Sequence, residues 1–284
     1  MANIRLIKRR VKSARNIAQI TKAMELVAAS KMKKAQMTAL SSKLYAQKIY
    51  DMVLALSAKV TDYSHPLFLK PPVMTGKRLV ISISTNKGLC GGLNASLFRF
   101  LIREYKELPK HDHVTVGRKG ADFLSRIGAP VVADFSKSTP FVSIVPALIE
   151  LVSREYGRGL YDGVDLVYSE FVSSLKQVPR KKTIVPLVLD APDKTDESLT
   201  DFVIEPEVNE VFRILLPHYL ENQVRDAVLQ AEASEHSARM IAMRNATDNA
   251  QSLIGDLTLA YNKARQERIT YEILDLVTAR LAVE

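Results

Sequence analysis

The sequence predicts a small α/β domain inserted between two long helices that pair as an antiparallel coiled coil. Three observations predict this fold. Residues 3–63 contain neither proline nor glycine, and residues 218–283 contain no proline and a single glycine, Gly255. Apolar residues in both runs recur at alternating steps of three and four, and strand-like and helix-like segments alternate between the two runs.

The first run predicts one helix that is too long for a compact core. At about 1.5 Å per residue, roughly 55 residues would extend about 80 Å. Steps of three and four keep a narrow stripe facing one partner helix, which is the seam of a coiled coil. The predicted seam residues, many of them alanines that allow close approach, are Ile4, Ile7, Val11, Ala14, Ile17, Ile20, Met24, Val27, Ala28, Met32, Ala35 and Ala39.

The last run predicts a second long helix. It should begin near residues 205–207, where Pro206 suits a first turn and two acids suit the helix dipole, and Pro217 should kink it. Neither helix would be stable alone with one thin apolar stripe, so the two should pair. In the alternative, each folds back into a bundle, but turn signals are missing where a bundle needs them. The predicted seam is Leu253, Leu257, Ala260, Ala264, Leu274, Val277 and Leu281.

The middle of the chain predicts a Rossmann-like domain with a largely parallel sheet. A linker containing Pro66, Pro71 and Pro72 precedes it. Predicted strands cover residues 77–84, 113–116, 130–133, 164–172 and 183–189. Predicted helices cover 94–108, 121–127 and 141–156, the last interrupted or kinked at Pro146. The predicted domains are therefore residues 1–63, 64–205 and 206–284.

The net charge of +9 is concentrated at the N-terminal end. Residues 1–50 hold twelve lysines or arginines and one acid, Glu25. A solvated helix face usually interleaves charges of both signs, so this excess favours an acidic partner: nucleic acid, anionic lipid or an acidic protein surface. The charge alone leaves these three open.

Composition also restricts the location. No run of residues approaches the roughly 18 apolar positions that span a bilayer, and the early arginines lack the apolar run of a signal peptide. Cys90, the single cysteine, excludes an internal disulfide and a cysteine-rich metal site. We expect a cytoplasmic protein, or one on the cytoplasmic face of a membrane.

No enzyme site stands out. The turn KGLCGGLN at residues 87–94 follows a predicted strand, but it matches neither phosphate-loop spacing. We interpret it as a tight turn with Asn94 available as a cap and Cys90 buried. The histidines are scattered, and His111 and His113 lack a third ligand nearby. Ser234 and His236 are predicted to be helical, which is a weak basis for a hydrolase. We therefore predict no catalytic residue, cofactor or metal.

Several segments resemble one family over the whole chain. These are ITKAMELVAASKM at residues 20–32, SEHSARMIAM at 234–243 with ATDNA at 246–250, and YNKARQ at 261–266 with ITYE at 269–272. In these segments and in the 88–94 turn, the chain resembles the gamma subunits of F-type ATP synthases. The resemblance implies a rotor shaft inside a ring of alternating alpha and beta subunits, which carry the nucleotide sites. It also implies that the α/β domain rests on the membrane c-ring and binds epsilon, at the cytoplasmic face of the bacterial membrane.

The resemblance also implies roles for particular residues. Arg265 and Gln266 would engage a loop of one beta subunit, with Thr270 and Glu272 in the adjoining stretch. Arg239 would be a structural or coupling residue. The facing part of the first helix would also contact beta, through Met24, Lys31, Lys33 and Lys34. The three lysines would lie near acidic segments of beta.

The chain departs from the family pattern at its C-terminal end. Ala279 stands where the family usually has glycine, and Arg280 adds a charge. The cysteine-bearing segment of plant chloroplast relatives is absent, so no thiol switch is expected. Two rival functions have tests of their own: a nucleic-acid binder would lose affinity steeply with salt, and an enzyme using the Gly88 turn would bind ATP or NAD.

Overall fold

The computed structural model describes residues 4–57, 74–187, 204–205 and 207–281. It divides into two compact units, residues 1–28 with 239–284, and residues 29–238. The N-terminal helix α1 spans Ile4–Ser57, and the C-terminal helix α5 spans Val208–Leu281. The prediction of two long helices flanking an α/β domain is confirmed. The predicted end of the first helix at Tyr63, the proline-containing linker and Pro206 lie outside the described residues.

In the unit formed by residues 1–28 and 239–284, the two helices run antiparallel. The hydroxyls of Thr21 and Thr247 are 2.7 Å apart, whereas Lys8 and Tyr261 line the same cavity. Lower numbers on α1 therefore meet higher numbers on α5. Each hydroxyl has a single proton, so one of the two donates to the other, and the accepting hydroxyl donates to a carbonyl of its own helix, that of Ile17 for Thr21 or of Met243 for Thr247. The polar pair is thus satisfied within the helix contact.

The middle of the predicted α1 seam is wrong. Ile17, Ile20 and Val27 are 53%, 60% and 56% exposed, and the seam instead passes through Ala18 and Thr21. An unbroken 3.5-residue period between Ala14 and Ala28 requires these smaller residues. The outer parts of the prediction hold, since Ala14, Ala28 and Ala35 are buried.

The predicted α5 seam is correct at two of its six described residues. Leu257 and Ala264 face inward, but Leu253 and Ala260 are exposed, as are Leu274 and Val277. The side chain of Leu281 lies outside the description. The observed seam keeps a strict alternation of four and three, through Met243, Thr247, Ala250, Ile254, Leu257, Tyr261 and Ala264.

The α/β domain is built on a five-stranded sheet in the order β3-β2-β1-β4-β5. The first four strands are parallel to one another, and β5 is antiparallel to β4, which confirms a largely parallel sheet. The strands are β1 (Leu79–Ile83), β2 (Asp112–Val116), β3 (Val131–Asp134), β4 (Val164–Phe171) and β5 (Gln177–Val185), and the helices are α2 (Leu93–Glu104), α3 (Arg118–Arg126) and α4 (Val145–Gly157).

Two predicted elements differ from the structure. Strand β5 begins at Gln177, six residues before the predicted start at 183. Its first half is polar and contains Pro179, a pattern that an edge strand tolerates because one side of its backbone has no neighbour. Pro146 lies in the first turn of α4, after a 3-10 turn at Phe141–Ile144, so it starts the helix and does not interrupt it.

Apolar packing joins the sheet to both long helices within residues 29–238. One buried cluster combines Ile49 and Val53 of α1, Leu216 and Leu220 of α5, and Ile81 of β1. A second cluster fills the other sheet face with residues of α2 and α3. Each fully buried aliphatic side chain contributes about 1.5–3 kcal/mol.

A buried ion pair ties β1 to β4. The Arg78 guanidinium donates two hydrogen bonds to Asp165, at 2.6 and 2.7 Å, and Tyr105 and Thr183 also donate to this carboxylate. Burial by itself opposes ionisation of Asp165, but these hydrogen bonds outweigh it and hold its pKa below the usual value. The carboxylate is fully buried and fully satisfied.

We expect Arg78→Ala to destabilise the chain by about 3–5 kcal/mol, because it leaves an uncompensated buried carboxylate. Urea unfolding of the purified chain measures the change. Arg180→Ala, which breaks a more exposed pair with Glu170, is the matched control and should cost no more than about 1 kcal/mol. Equal effects of the two substitutions would contradict this account.

The helix seam should not tolerate larger side chains. We expect Ala28→Leu to lower the free energy of unfolding by about 1–3 kcal/mol, because Ala28 is 2% exposed and the helices would have to separate. Ala23→Leu, on the exposed side of the same helix, should change it by about 0.5 kcal/mol or less. Thermal unfolding followed by helical circular dichroism compares them, and an unchanged Ala28→Leu midpoint would refute a close seam.

His113 should make the fold sensitive to acid. It is fully buried on β2, its Nε2 lies 3.0 Å from the Leu108 carbonyl, and Nδ1 has no hydrogen-bond partner among the described residues. Burial lowers its pKa. Between that lowered value and about 6.5, the unfolded chain binds the proton and the folded chain does not, so stability rises with pH across this window.

We therefore expect the free energy of unfolding to fall as the pH drops below about 6.5, and His113→Gln to flatten this slope. Denaturant unfolding at a series of pH values measures it. The control is His218→Gln, because the His218 side chain is partly exposed whereas that of His113 is buried. A slope that survives in His113→Gln would assign the acid sensitivity elsewhere.

Candidate functional site

The most unusual surface belongs to the helix pair of residues 4–28 and 239–281. We call its exposed side chains the helix-pair surface. Large apolar residues that the seam does not use point outward along α1, namely Ile17, Ile20, Leu26 and Val27. A soluble helix normally keeps such residues on one covered face. These positions therefore indicate a surface that contacts other chains.

The end of α5 is the most exposed part of this surface. Every described side chain from residue 265 to 280 is exposed. Leu276 is 71% exposed, and at 3.6 residues per turn the exposed apolar residues cover more than half of the helix circumference, at Ile269, Tyr271, Ile273, Leu274, Leu276 and Val277. So wide an exposed apolar surface on one helix is typical of a protein contact, so this end indicates a surface that other chains cover.

A basic groove lies along the same helix pair. A cavity of about 660 Å³ is bordered by five cations of α1 and by three residues of α5. A second cavity of about 630 Å³ lies along Ala14 and Ala250. The charge concentrated in the N-terminal sequence is thus presented along a groove, which suits an acidic partner. The lining of the first cavity is Arg5, Lys8, Arg9, Val11, Lys12, Arg15, Thr258, Tyr261 and Asn262.

Four predicted contact residues lie on the exposed end of α5. Arg265, Gln266, Thr270 and Glu272 are all exposed. The Thr270 hydroxyl donates to the Gln266 carbonyl at 3.0 Å, and Arg268 pairs with Glu272 at 2.6 Å. The Gln266 amide and the Arg265 guanidinium together present several hydrogen-bond donors and an acceptor to a neighbouring chain.

The predicted contact residues on α1 do not join this group. Met24 is half-buried one turn from Thr21, which contacts Thr247, and Thr247 lies 18 residues before Arg265, about 27 Å along the helix. Lys31, Lys33 and Lys34 are exposed on α1 within the unit formed by residues 29–238. Arg239 is half-buried on α5. The predicted residues therefore form at least two separate patches.

The turn at residues 88–94 leads from β1 into α2. Asn94 is not the cap of α2; it lies inside the helix, and its side chain bonds to Thr85 and to the Cys90 sulfur. Cys90 is buried, as predicted. The cavity at this edge of the sheet is about 10 Å³ and includes Glu232 and Glu235 of α5 in its lining. Nucleotide pockets require several hundred Å³ and cations, so α5 occupies the place a ligand would need.

Other sites are absent from the part of the chain that is described. Within residues 4–57, 74–187 and 204–281 apart from Pro206, no group of three histidine, cysteine or acidic residues is placed to hold a metal ion. None of the helices in those ranges has the length and hydropathy needed to cross a membrane. Ser234 and His236 lie on a continuous helix, and the Ser234 hydroxyl donates to the Ser169 carbonyl.

Sequence reasoning missed the outward apolar residues. It assigned Ile17, Ile20 and Val27 to the seam because they also recur at steps of three and four. The signal that could have separated them is the second, uninterrupted register through Ala14, Ala18, Thr21 and Ala28, whose smaller residues suit a close helix contact.

Comparison with known proteins agrees with this geometry. The sequence model of a family described as ATP synthase matches residues 3–283. The chain is 42% identical over 293 residues to the ATP synthase gamma chain of Dehalococcoides mccartyi strain 195, with both chains covered completely. It is 40% identical to the gamma chain of Opitutus terrae and covers 99% of each chain.

Solved structures show the same fold. A chain of the Euglena gracilis mitochondrial ATP synthase, in its OSCP/F1/c-ring assembly, has a TM-score of 0.67 at 20% identity, with 99% of this chain and 94% of that chain covered. A chain of the Tetrahymena thermophila central stalk and c-ring has a TM-score of 0.57 at 25% identity, with 80% and 99% covered. Taken with the full-length relatives, these matches show that the chain belongs to the ATP synthase gamma chain family.

Proposed function

We propose that the helix-pair surface is the working surface of a rotor shaft. As a gamma chain, the protein is the central-stalk subunit of an F-type ATP synthase and is not itself the catalyst. Its rotation couples the c-ring to conformational change in the catalytic beta subunits. The single observation that supports this use of the surface is the exposed apolar end of α5, which other chains would cover.

The mechanism follows from the geometry of the helix pair. Small residues along an unbroken seam let two helices pack closely, which stiffens each against bending and twisting. A single asymmetric chain inside a ring with threefold repetition presents a different face to each beta subunit. Turning the chain therefore changes which subunit is pushed closed and which is allowed to open.

Two patches would make the changing contacts with beta. Arg265 and Gln266, with Thr270 and Glu272 in the next turn, offer exposed polar groups to a loop of one beta subunit. Met24 and the exposed lysines Lys31, Lys33 and Lys34 would meet beta on α1, the lysines facing acidic segments. Exposed polar contacts are each worth up to about 1 kcal/mol, which suits a surface that must release each partner in turn. Arg239 would support coupling from α5.

The other partners meet the rest of the chain. The α/β domain and the nearby helix ends would rest on the c-ring and bind epsilon, and the alpha and beta subunits would form the ring around the helix pair. The chain would thus lie at the cytoplasmic face of a bacterial membrane, attached only through the complex. Proton flow through the membrane sector would drive ATP synthesis, and ATP hydrolysis would drive proton pumping.

We expect Arg265→Ala with Gln266→Ala to reduce proton-driven ATP synthesis at least about tenfold, because contacts that form during rotation stabilise the rate-limiting step. The fold should be unchanged, since both side chains are exposed. Lys48→Ala with Gln47→Ala, exposed on α1 outside the helix-pair surface, is the matched control. Synthesis is measured in vesicles containing the whole complex. Wild-type rates in the Arg265/Gln266 variant would count against the assigned contact.

The rotor assignment has its own test. Purification of the native assembly should recover this chain at one copy with alpha, beta and epsilon chains. Recovery of the chain alone, or with nucleic acid that dissociates at raised salt, would instead support the nucleic-acid alternative.

A further inference from the structure

A row of polar side chains on α5 contacts the β4–β5 hairpin within the unit formed by residues 29–238. Gln223, Gln230, Ser234 and Ser237 are separated by seven, four and three residues. On a helix with 3.6 residues per turn, these positions lie within about 60° of one another. We call this row the polar stripe. It faces the hairpin over about four turns of helix.

The two serines make the most enclosed contacts of the polar stripe. The Ser234 hydroxyl donates to the Ser169 carbonyl on β4 at 2.9 Å. The Ser237 hydroxyl donates to the Ser174 carbonyl in the hairpin turn at 2.6 Å, and the Gln177 amide donates to Ser237 at 3.3 Å. Both serine side chains are fully buried.

The two glutamines extend the contact to other parts of the hairpin. The Phe171 backbone N–H, at the end of β4, donates to Gln230 Oε1 at 3.3 Å. The Lys182 ammonium of β5 donates to Gln223 Oε1. The polar stripe therefore bonds to β4, to the turn and to β5, so the whole hairpin is attached to one face of α5.

The polar stripe adds what the apolar core cannot supply. Val224, Ala227 and Val228 of α5 also pack in the cluster that contains Val164 and Leu166 of β4. Apolar burial is non-directional, so a helix that rotated or slid slightly could bury nearly the same area. A buried hydroxyl that loses its acceptor has no water to replace it. The polar stripe thus fixes the rotational and axial register of α5 on the sheet.

We propose that the polar stripe is the element that transmits torque between the α/β domain and the shaft helix. The proposal rests on the rotor function proposed above, in which force enters at the α/β domain and is used along the helix pair. Ser234, Ser237, Gln230 and Gln223 are positioning residues: they hold the hairpin in register and touch no nucleotide. Ser234 and Ser237 belong to the segment SEHSARMIAM.

The test measures the angular stiffness of the rotor in the assembled complex. A bead is attached through Lys106→Cys, which is exposed on the α/β domain, whereas the native Cys90 is buried. The ring of alpha and beta subunits is fixed to a surface, and rotation is stalled at one angle with a nucleotide analogue. We expect Ser234→Ala with Ser237→Ala, and separately Gln230→Ala, to broaden the distribution of bead angles during the stall.

Hydrogen exchange provides a second readout at a single atom. In Gln230→Ala the Phe171 amide loses its acceptor, so its exchange should accelerate about fivefold, the factor expected for one lost hydrogen bond. Ser41→Ala with Gln47→Ala, both exposed on α1 outside the helix-pair surface, is the matched control and should leave the bead distribution and the exchange rate unchanged.

The outcomes separate the torque proposal from the rotor function. A wild-type complex that does not rotate at all would overturn the rotor function itself. A rotating wild type with variant bead distributions equal to the control would overturn only the torque proposal, even if the melting temperature of the variants fell. If the double serine variant does not assemble, Gln230→Ala decides by the same comparison, because its side chain is only half-buried.

Discussion

Close packing of small side chains where α1 meets α5 is the constraint on which the helix pair depends. Ala14, Ala28 and Ala250 are buried at this contact, and the Thr21 and Thr247 hydroxyls bond to each other within it. Because small residues of α1 occupy the seam between Ala14 and Ala28, the larger apolar residues Ile17, Ile20 and Val27 of the same helix point outward. The feature that makes the pair close is therefore also the feature that gives it an apolar outer surface to present to a ring.

The α/β domain has a structural role. Its sheet resembles those of nucleotide-binding enzymes, but the edge where a ligand would bind is filled by α5, and Glu232 and Glu235 line the small cavity that remains. The domain's strongest polar network, Arg78 with Asp165, joins strands to each other and faces no open site. A fold often associated with catalysis is used here as a rigid base, which agrees with a chain whose family partners carry the chemistry.

Apolar contacts and hydrogen bonds on α5 have different effects. Apolar clusters supply most of the stabilisation, because buried area is large and the interaction has no preferred direction. Hydrogen bonds from Ser234 and Ser237 contribute less to stability but permit only one register. A shaft that transmits rotation needs both, since stability alone does not prevent a helix from turning against the sheet that holds it.

Local signals in the chain were enough to predict that two long helices flank a largely parallel α/β domain. Proline, glycine and the period of apolar residues each act over a few neighbouring positions, so they indicate secondary structure without knowledge of the packing partner. The sequence also placed Arg265, Gln266, Thr270 and Glu272 on the second helix, through resemblance. Which of two overlapping apolar registers forms the seam became clear only from the packing of the folded chain. Ile17 and Ala18 both satisfy the period, and the choice depends on how closely the other helix can approach. The early start of β5 was likewise decided by pairing with β4, since its polar first half carries no strand signal of its own.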